Sequence, residues 1–285
     1  MTEILLLVTK ILVGALILSI GTGATFADVG YLLRRPGLLA RSLLAMYVLV
    51  PLAAFALIKL LSVSASAKTA LLVLAVSAGA PLLPRRLERY SGGEYAISIV
   101  VTTSLLAIVV VPLWVKLLAW HFDLAAEVSP FDVANTMAVA VFLPLAAGMV
   151  LRAVAPVPAE RFADQASAIC GITLVVVAMG LLATQWEVVL TAGWQGIAAL
   201  VVLLLVALAI GHILGGPVAE HRTGLAIACA TRHVGIALIV ATLFRGPRTV
   251  AMLATYVIAS LLVTIPYLQW RRYRGGSGPR PIGSA

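Results

Sequence analysis

Long apolar runs separated by short, arginine-rich links dominate the chain. A run of about 20 residues matches a hydrocarbon core of about 30 Å when it is helical. Nine such runs occur, at residues 4–26, 38–61, 69–84, 95–118, 132–151, 164–184, 194–215, 223–244 and 249–270. Each predicts a membrane-spanning helix, because a span must satisfy its own backbone hydrogen bonds in lipid. Two of the nine are interrupted. In the third, SAGAPLLPRRLERYSGG sets Gly79, Pro81 and Pro84 where a helix would continue, and proline removes a donor and clashes with the preceding turn. A break is therefore expected between Gly79 and Pro84. In the eighth, RTGLAIACATRHVGIALIVATLF carries Thr231, Arg232 and His233 near its middle, followed by Gly235.

Composition agrees with the pattern. Of 285 residues, 62% are hydrophobic and 11% charged, where a soluble domain carries about 25% charge. The chain reads as one all-α polytopic membrane domain over 1–285. A sequence pI near 10.1 would suit a nucleic-acid binder, but the basic residues lie between apolar runs and form no soluble face. They report topology instead. Arg34, Arg35, Arg41, Arg85, Arg86, Arg89, Arg152, Arg161, Arg222, Arg271, Arg272, Arg274 and Arg280 collect on one side. Lys59, Lys68, Lys116, Arg245 and Arg248 fall on the other, with Lys10 and Arg232 inside spans. The positive-inside rule then places the basic tail 271–285 in the cytoplasm and the N-terminus outside a cell membrane. Trp114, Trp120, Trp186 and Trp194 fall at outer span ends, the headgroup level that suits an indole. Cys170 and Cys229 lie inside apolar runs and suggest plain core residues, neither a disulfide nor a metal pair.

An internal offset organises the spans. Thr69 and Thr223, Leu71 and Leu225, Ser77 and Thr231, Val109 and Val263, and Pro112 and Pro266 are all 154 residues apart. The offset carries spans one to four onto spans six to nine, and five helices separate each pair. An odd number inverts the second copy, so 4–118 and 132–270 read as inverted repeats of four and five helices. Such repeats, with interrupted helices at matching positions, are an architecture of secondary transporters. The first run also fits a cleaved signal peptide, with Lys10 before a short apolar stretch and Thr25-Phe26-Ala27 as a cleavage site; the repeat argues against it.

Arg232 is the candidate for chemistry. A guanidinium stays charged at cellular pH and costs about 3 kcal/mol at a bilayer centre on insertion scales, so it marks a site. The half-helix ends and freed N–H groups of the two breaks favour an anion. Arg85, Thr231 and His233 join it as candidate substrate-binding residues. No zinc-protease or nucleophile-elbow motif and no nucleotide-binding loop is present, so neither enzyme chemistry nor ATP-driven pumping is expected, and no cofactor is called for.

The run GAPLLPRRLERYSGGEYAISIVVTT resembles the broken-helix region of the bile acid:sodium symporter family, and RTGLAIACATRHVGIALIVATLF resembles its second crossing helix. The resemblance extends to LLRRPGLLARSLLAMYVLVPLAAFALIKLL near the start. It implies nine or ten helices divided into a panel and a core, two broken core helices that cross, and organic-anion substrates. The departures fall on the ion ligands. Aligned on Val101-Thr102-Thr103, the family's sodium-binding Ser-Asn pair falls on Pro84 and Arg85, its acidic ligand on Ala228, its Gln on Arg232 and its Asn on His233. Ser98 and Thr102 match sodium-ligand positions and form an ion-site remnant. The resemblance thus implies transport of a small or amphipathic organic anion, sodium-independent or proton-coupled, with Arg232 a fixed positive charge where relatives bind a mobile one. Sodium coupling through a shifted site, and a sensor or scaffold without transport, stay open here, as does the oligomeric state.

Overall fold

The computed structural model describes residues 2–77, 79, 93–121, 129–184, 187, 193–243 and 247–275. Every regular element among them is helical. The chain opens with α1 (Thr2–Gly23) and turns by 85° into α2 (Phe26–Leu33). A capping box makes the turn: the Asp28 N–H donates to Thr25 Oγ1 at 3.2 Å and the Thr25 N–H donates to the Asp28 carboxylate at 2.9 Å. The first span therefore ends at Gly23, short of 26, because a new helix is capped there.

The second run is α3 (Pro36–Leu44), a π-helical turn Ala45–Leu49 and α4 (Val50–Leu60). Pro51 explains the irregular turn. In the π register the Val50 N–H donates to the Ala45 carbonyl, and the next donor would be residue 51, which has none. The Met46 carbonyl is left without a helical partner. A second π turn, Ala138–Phe142, joins α7 (Pro130–Met137) to α8 (Leu143–Val154), with Pro144 in the same place.

Helix α5 (Ala65–Val76) is followed by α6 (Gly93–His121), and α9 (Pro156–Thr184) and α10 (Gly193–Leu214) follow α8. The eighth run is two helices, α11 (Ala219–Ala230) and α12 (Val234–Leu243), and α13 (Pro247–Gly275) ends the described chain. By length and apolarity six described helices can cross a membrane, or seven if the bent pair α1–α2 is one span. The nine expected runs do not all meet that measure: the third is represented by the 12-residue α5 and the eighth by two short helices.

The offset of 154 residues reappears in the helix limits. Helices α1 and α9 begin at Thr2 and Pro156, and α4 and α10 end at Leu60 and Leu214. Helix α5 matches α11 at both ends, and α6 matches α13 at both ends, with Pro112 and Pro266 inside. The detail extends to side chains. Thr69 and Thr223 each donate to the carbonyl four residues back, at 3.0 and 2.9 Å, and Ser77 and Thr231 do the same, both at 2.6 Å.

Packing separates two groups. Helices α1, α8 and α9 pack on one another, while α4, α5, α10, α11, α12 and α13 form a second cluster that α9 touches through α13. Helix α9 is peripheral and α13 central: the apolar window of α9 is 11% buried and that of α13 is 61% buried. Apolar surface on α9 is left for lipid, as a bilayer solvent permits.

Candidate functional site

The two interrupted helices meet at their breaks. Helix α5 stops at Val76, and Ser77 leaves the helical conformation with ψ 63°. Helix α11 stops at Ala230, and Thr231 turns extended with φ −95° and ψ 114°. The His233 N–H then donates to the Ser77 carbonyl at 3.0 Å. One backbone bond thus joins the two ends.

Each end is sealed by its own hydroxyl. The Ser77 and Thr231 hydroxyls donate to the Val73 and Ile227 carbonyls, which also accept the N–H of the same two residues as the last helical bonds. Beyond Ser77 the chain passes through Gly79 at φ +105°, a conformation that a side chain disfavours. A Cβ there would stand 3.4 Å from Thr103 Oγ1, 3.7 Å from His233 Cδ2 and 3.8 Å from Ser104 Oγ. Gly79 therefore lets the first break lie against both α6 and His233.

The second break has more elaborate support. Tyr256 on α13 bridges it, accepting from the Arg232 N–H and donating to the Ala230 carbonyl, both at 2.6 Å. His233 caps α12, since its Nδ1 accepts the Ile236 N–H at 3.2 Å. With Nδ1 an acceptor, the ring proton resides on Nε2. The Arg232 side chain reaches back to the π turn, where Nη1 donates to the Met46 carbonyl at 3.3 Å. That carbonyl is the one Pro51 left open. The neighbouring Tyr47 carbonyl accepts from Trp114 Nε1 at 3.1 Å, and the Tyr47 hydroxyl donates to the Thr103 carbonyl.

These groups are closed off from solvent and incompletely satisfied. Arg232 is 5% exposed and His233 and Ser104 are fully buried. Among the described residues, Arg232 Nη2, His233 Nε2 and Ser104 Oγ have no hydrogen-bond partner, and the ion pair formed is Arg152–Glu160, at 3.1 Å, far along the chain from Arg232. A buried guanidinium without a carboxylate and with idle donors is costly unless an acceptor joins it.

The predicted site residues divide accordingly. His233 and Gly79 meet where the two broken helices end, and Arg232, next in sequence, turns its guanidinium to Met46. Thr231 lies there too, but its hydroxyl is engaged by its own helix. Gly235 is the second residue of α12 and does not break the helix, because His233 already supplies the cap. The first break begins at Ser77, ahead of the expected Gly79–Pro84 stretch. Pro81, Pro84 and Arg85 lie outside the described residues. Ser98 is buried against α2, where the Leu32 N–H donates to its Oγ at 3.1 Å. Thr102, one turn on, is half-buried. Trp114, expected at the headgroup level, turns inward and donates to the Tyr47 carbonyl; Trp194 is 77% exposed. The side chains of Lys10 and Trp120, and all of Trp186, are outside the described residues. Cys170 and Cys229 are buried free thiols.

Three members of the crossing, Tyr256, Met46 and Ser104, are not among the candidates that the sequence supplies. Met46 has a signal, since a proline five residues on leaves its carbonyl open. Tyr256 and Ser104 carry no local signal.

Compared with curated proteins, the chain matches none. The profile of the Sodium Bile acid symporter family matches residues 10–192, which runs from within α1 to past the end of α9 and stops before the second break. More than half of the chain is covered, and the chain belongs to the Sodium Bile acid symporter family, a family of membrane transporters.

Proposed function

We propose that this protein is a secondary transporter of small or amphipathic organic anions, in which Arg232 provides a fixed positive charge at the helix crossing. The observation that carries this reading is the buried guanidinium with a free Nη2 and no carboxylate partner among the described residues. Such a group attracts a carboxylate or sulfonate through charge-assisted hydrogen bonds.

Sodium independence follows from the same residues. A sodium ion needs several oxygen ligands, and arginine offers no acceptor. Ala228 brings no side-chain oxygen, and the Ser98 hydroxyl is engaged by α2. Proton coupling through His233 is the weaker alternative, since its Nδ1 is committed to the cap and Arg232 is adjacent. The shared limits of α5 with α11 and of α6 with α13 support two inverted repeats, 4–118 and 132–270. The separate packing of α1, α8 and α9 supports a panel that rocks against a core in alternating access. The arginine distribution supports a cytoplasmic C-terminus, with 271–285 as a basic tail, and an outside N-terminus.

The test is uptake of labelled carboxylates and sulfonates into proteoliposomes, under sodium and potassium gradients of equal ionic strength. Accumulation that does not depend on sodium is expected. Uptake that requires sodium would overturn the fixed-charge reading, and ligand binding without flux would point to a sensor.

A further inference from the structure

A second cluster of arginines gathers at the link from α10 to α11, where Gly216 takes φ +81°. Arg222 of α11 grips that glycine: its Nε and Nη2 donate to the Gly216 carbonyl at 3.1 and 2.9 Å. Arg41 of α3 stands on the same residue, with Nη1 2.6 Å from the point a Cβ would take there. Arg271 of α13 holds the first turn of α11, where Nη2 donates to the Ala219 carbonyl at 3.1 Å and Nε to Thr223 Oγ1 at 2.9 Å. Arg35 lies over the Tyr31 ring at 3.7 Å, and the Tyr31 hydroxyl shares a 2.9 Å hydrogen bond with His221 Nε2. Arg35 and Arg41 both act electrostatically on His221. Four guanidiniums thus border residues 216–223. Among the described residues none of the four forms an ion pair, and Glu220 beside them is exposed.

Like charges held against one peptide repel, and arginines that serve only to orient the chain have no cause to turn onto the same glycine. A shared anion relieves the repulsion, and a phosphate does so through charge-assisted guanidinium contacts. The level of the cluster points to lipid as its source. Arg271 and Arg274 stand 5.9 and 4.9 Å from the ring of Trp270, an exposed indole of the kind that settles among headgroups. Leu44, one turn on from Arg41, and Ile213, just before Gly216, are exposed apolar side chains. We infer that this link binds the phosphate of an anionic phospholipid headgroup, held by Arg41 and Arg222 with Arg35 and Arg271 beside them. Basic pockets between helix ends at a membrane surface recognise such headgroups. The site is separate from Arg232 and independent of the transport reading.

The experiment is thermal unfolding of the full chain in a neutral detergent, titrated with dioctanoyl phosphatidylglycerol, with dioctanoyl phosphatidylcholine and glycerol phosphate as the other arms. A ligand of the folded state raises stability in a saturable way. The anionic lipid is expected to raise Tm to a plateau, with little change from the other two. Arg41 is exposed and bonds a carbonyl of its own helix, so Arg41→Gln should fold. It is expected to raise the lipid needed for half the effect roughly tenfold. Arg161→Gln removes the same charge from an exposed position on α9 and is expected to leave the titration unchanged. Absence of a saturable rise, an equal rise with phosphatidylcholine or glycerol phosphate, or equal losses in Arg41→Gln and Arg161→Gln would overturn the inference. So would a rise that Arg232→Gln abolishes, since the anion would then sit at the helix breaks.

Discussion

The two broken helices share a frame and differ in chemistry. Helices α5 and α11 are each 12 residues long, end at positions 154 residues apart, and carry hydroxyls that seal their last turns in the same way. Past those hydroxyls the two chains diverge. In sequence the first break has Ala78 and Gly79 where the second has Arg232 and His233. The supports differ as well: Tyr256 bridges the second break, while its counterpart 154 residues earlier is Thr102, a side chain too short to reach as far. The 154-residue offset thus relates two broken helices, and Arg232 has Ala78 as its counterpart. The site belongs to the asymmetry.

Removing that asymmetry should have the largest effect. Arg232→Gln is expected to lower organic-anion uptake by about a hundredfold or more, the loss of a charge-assisted contact of about 3 kcal/mol. The variant should express and fold, and the check is uptake per folded protein. Unchanged transport would mean that the second break is as inert as the first.

The second helix is also held more tightly. Gly211 on α10 faces α11, and a Cβ there would overlap the Leu225 carbonyl and the Ala226 backbone. Gly211→Ala is expected to destabilise by about 3 kcal/mol, because backbone cannot yield to an added methyl, as read by Tm in detergent. The counterpart, Leu57 on α4, already has a side chain, so Leu57→Ala should leave the position of α5 intact.

Tyr256→Phe tests the bridge itself. The Arg232 N–H would be left buried and unpaired and the Ala230 carbonyl would lose a donor, for a cost of about 2 kcal/mol. Thr102→Val at the equivalent position is expected to change stability by less than about 0.5 kcal/mol. Equal effects would show that the two breaks are supported alike. On the first break itself, Gly79→Ala is expected to fall between these two. At φ +105° an alanine costs about 1 kcal/mol, while its methyl finds ordinary contact distances to Thr103 and Ser104.

Each break is visible in the chain to a different degree. Thr231 to His233 stand out because polar residues interrupt an apolar run, and α11 stops there. Proline chemistry points to Gly79–Pro84 for the first break, yet the helix ends earlier, at Val76. The offset pairs Ser77 with Thr231, and that pairing is the better guide than the prolines. Gly235 misleads for a local reason: glycine weakens a helix, but the chain has already left the helix at Thr231, and a capping histidine restarts it.

Sequence alone determined the helical, membrane-embedded class, the family and the 154-residue offset that the helix limits share. These depend on the length and apolarity of segments, on residue spacing and on motifs, all of which are properties along the chain. Tertiary structure decided what Arg232 meets. Its carbonyl partner on Met46 is 186 residues away, its bridging tyrosine is on α13, and Ser104, which borders the same crossing, is on α6. Hydrogen-bond partners across that distance are chosen by packing, which no local pattern encodes, and so the idle donors that define the site become apparent only once the helices are assembled.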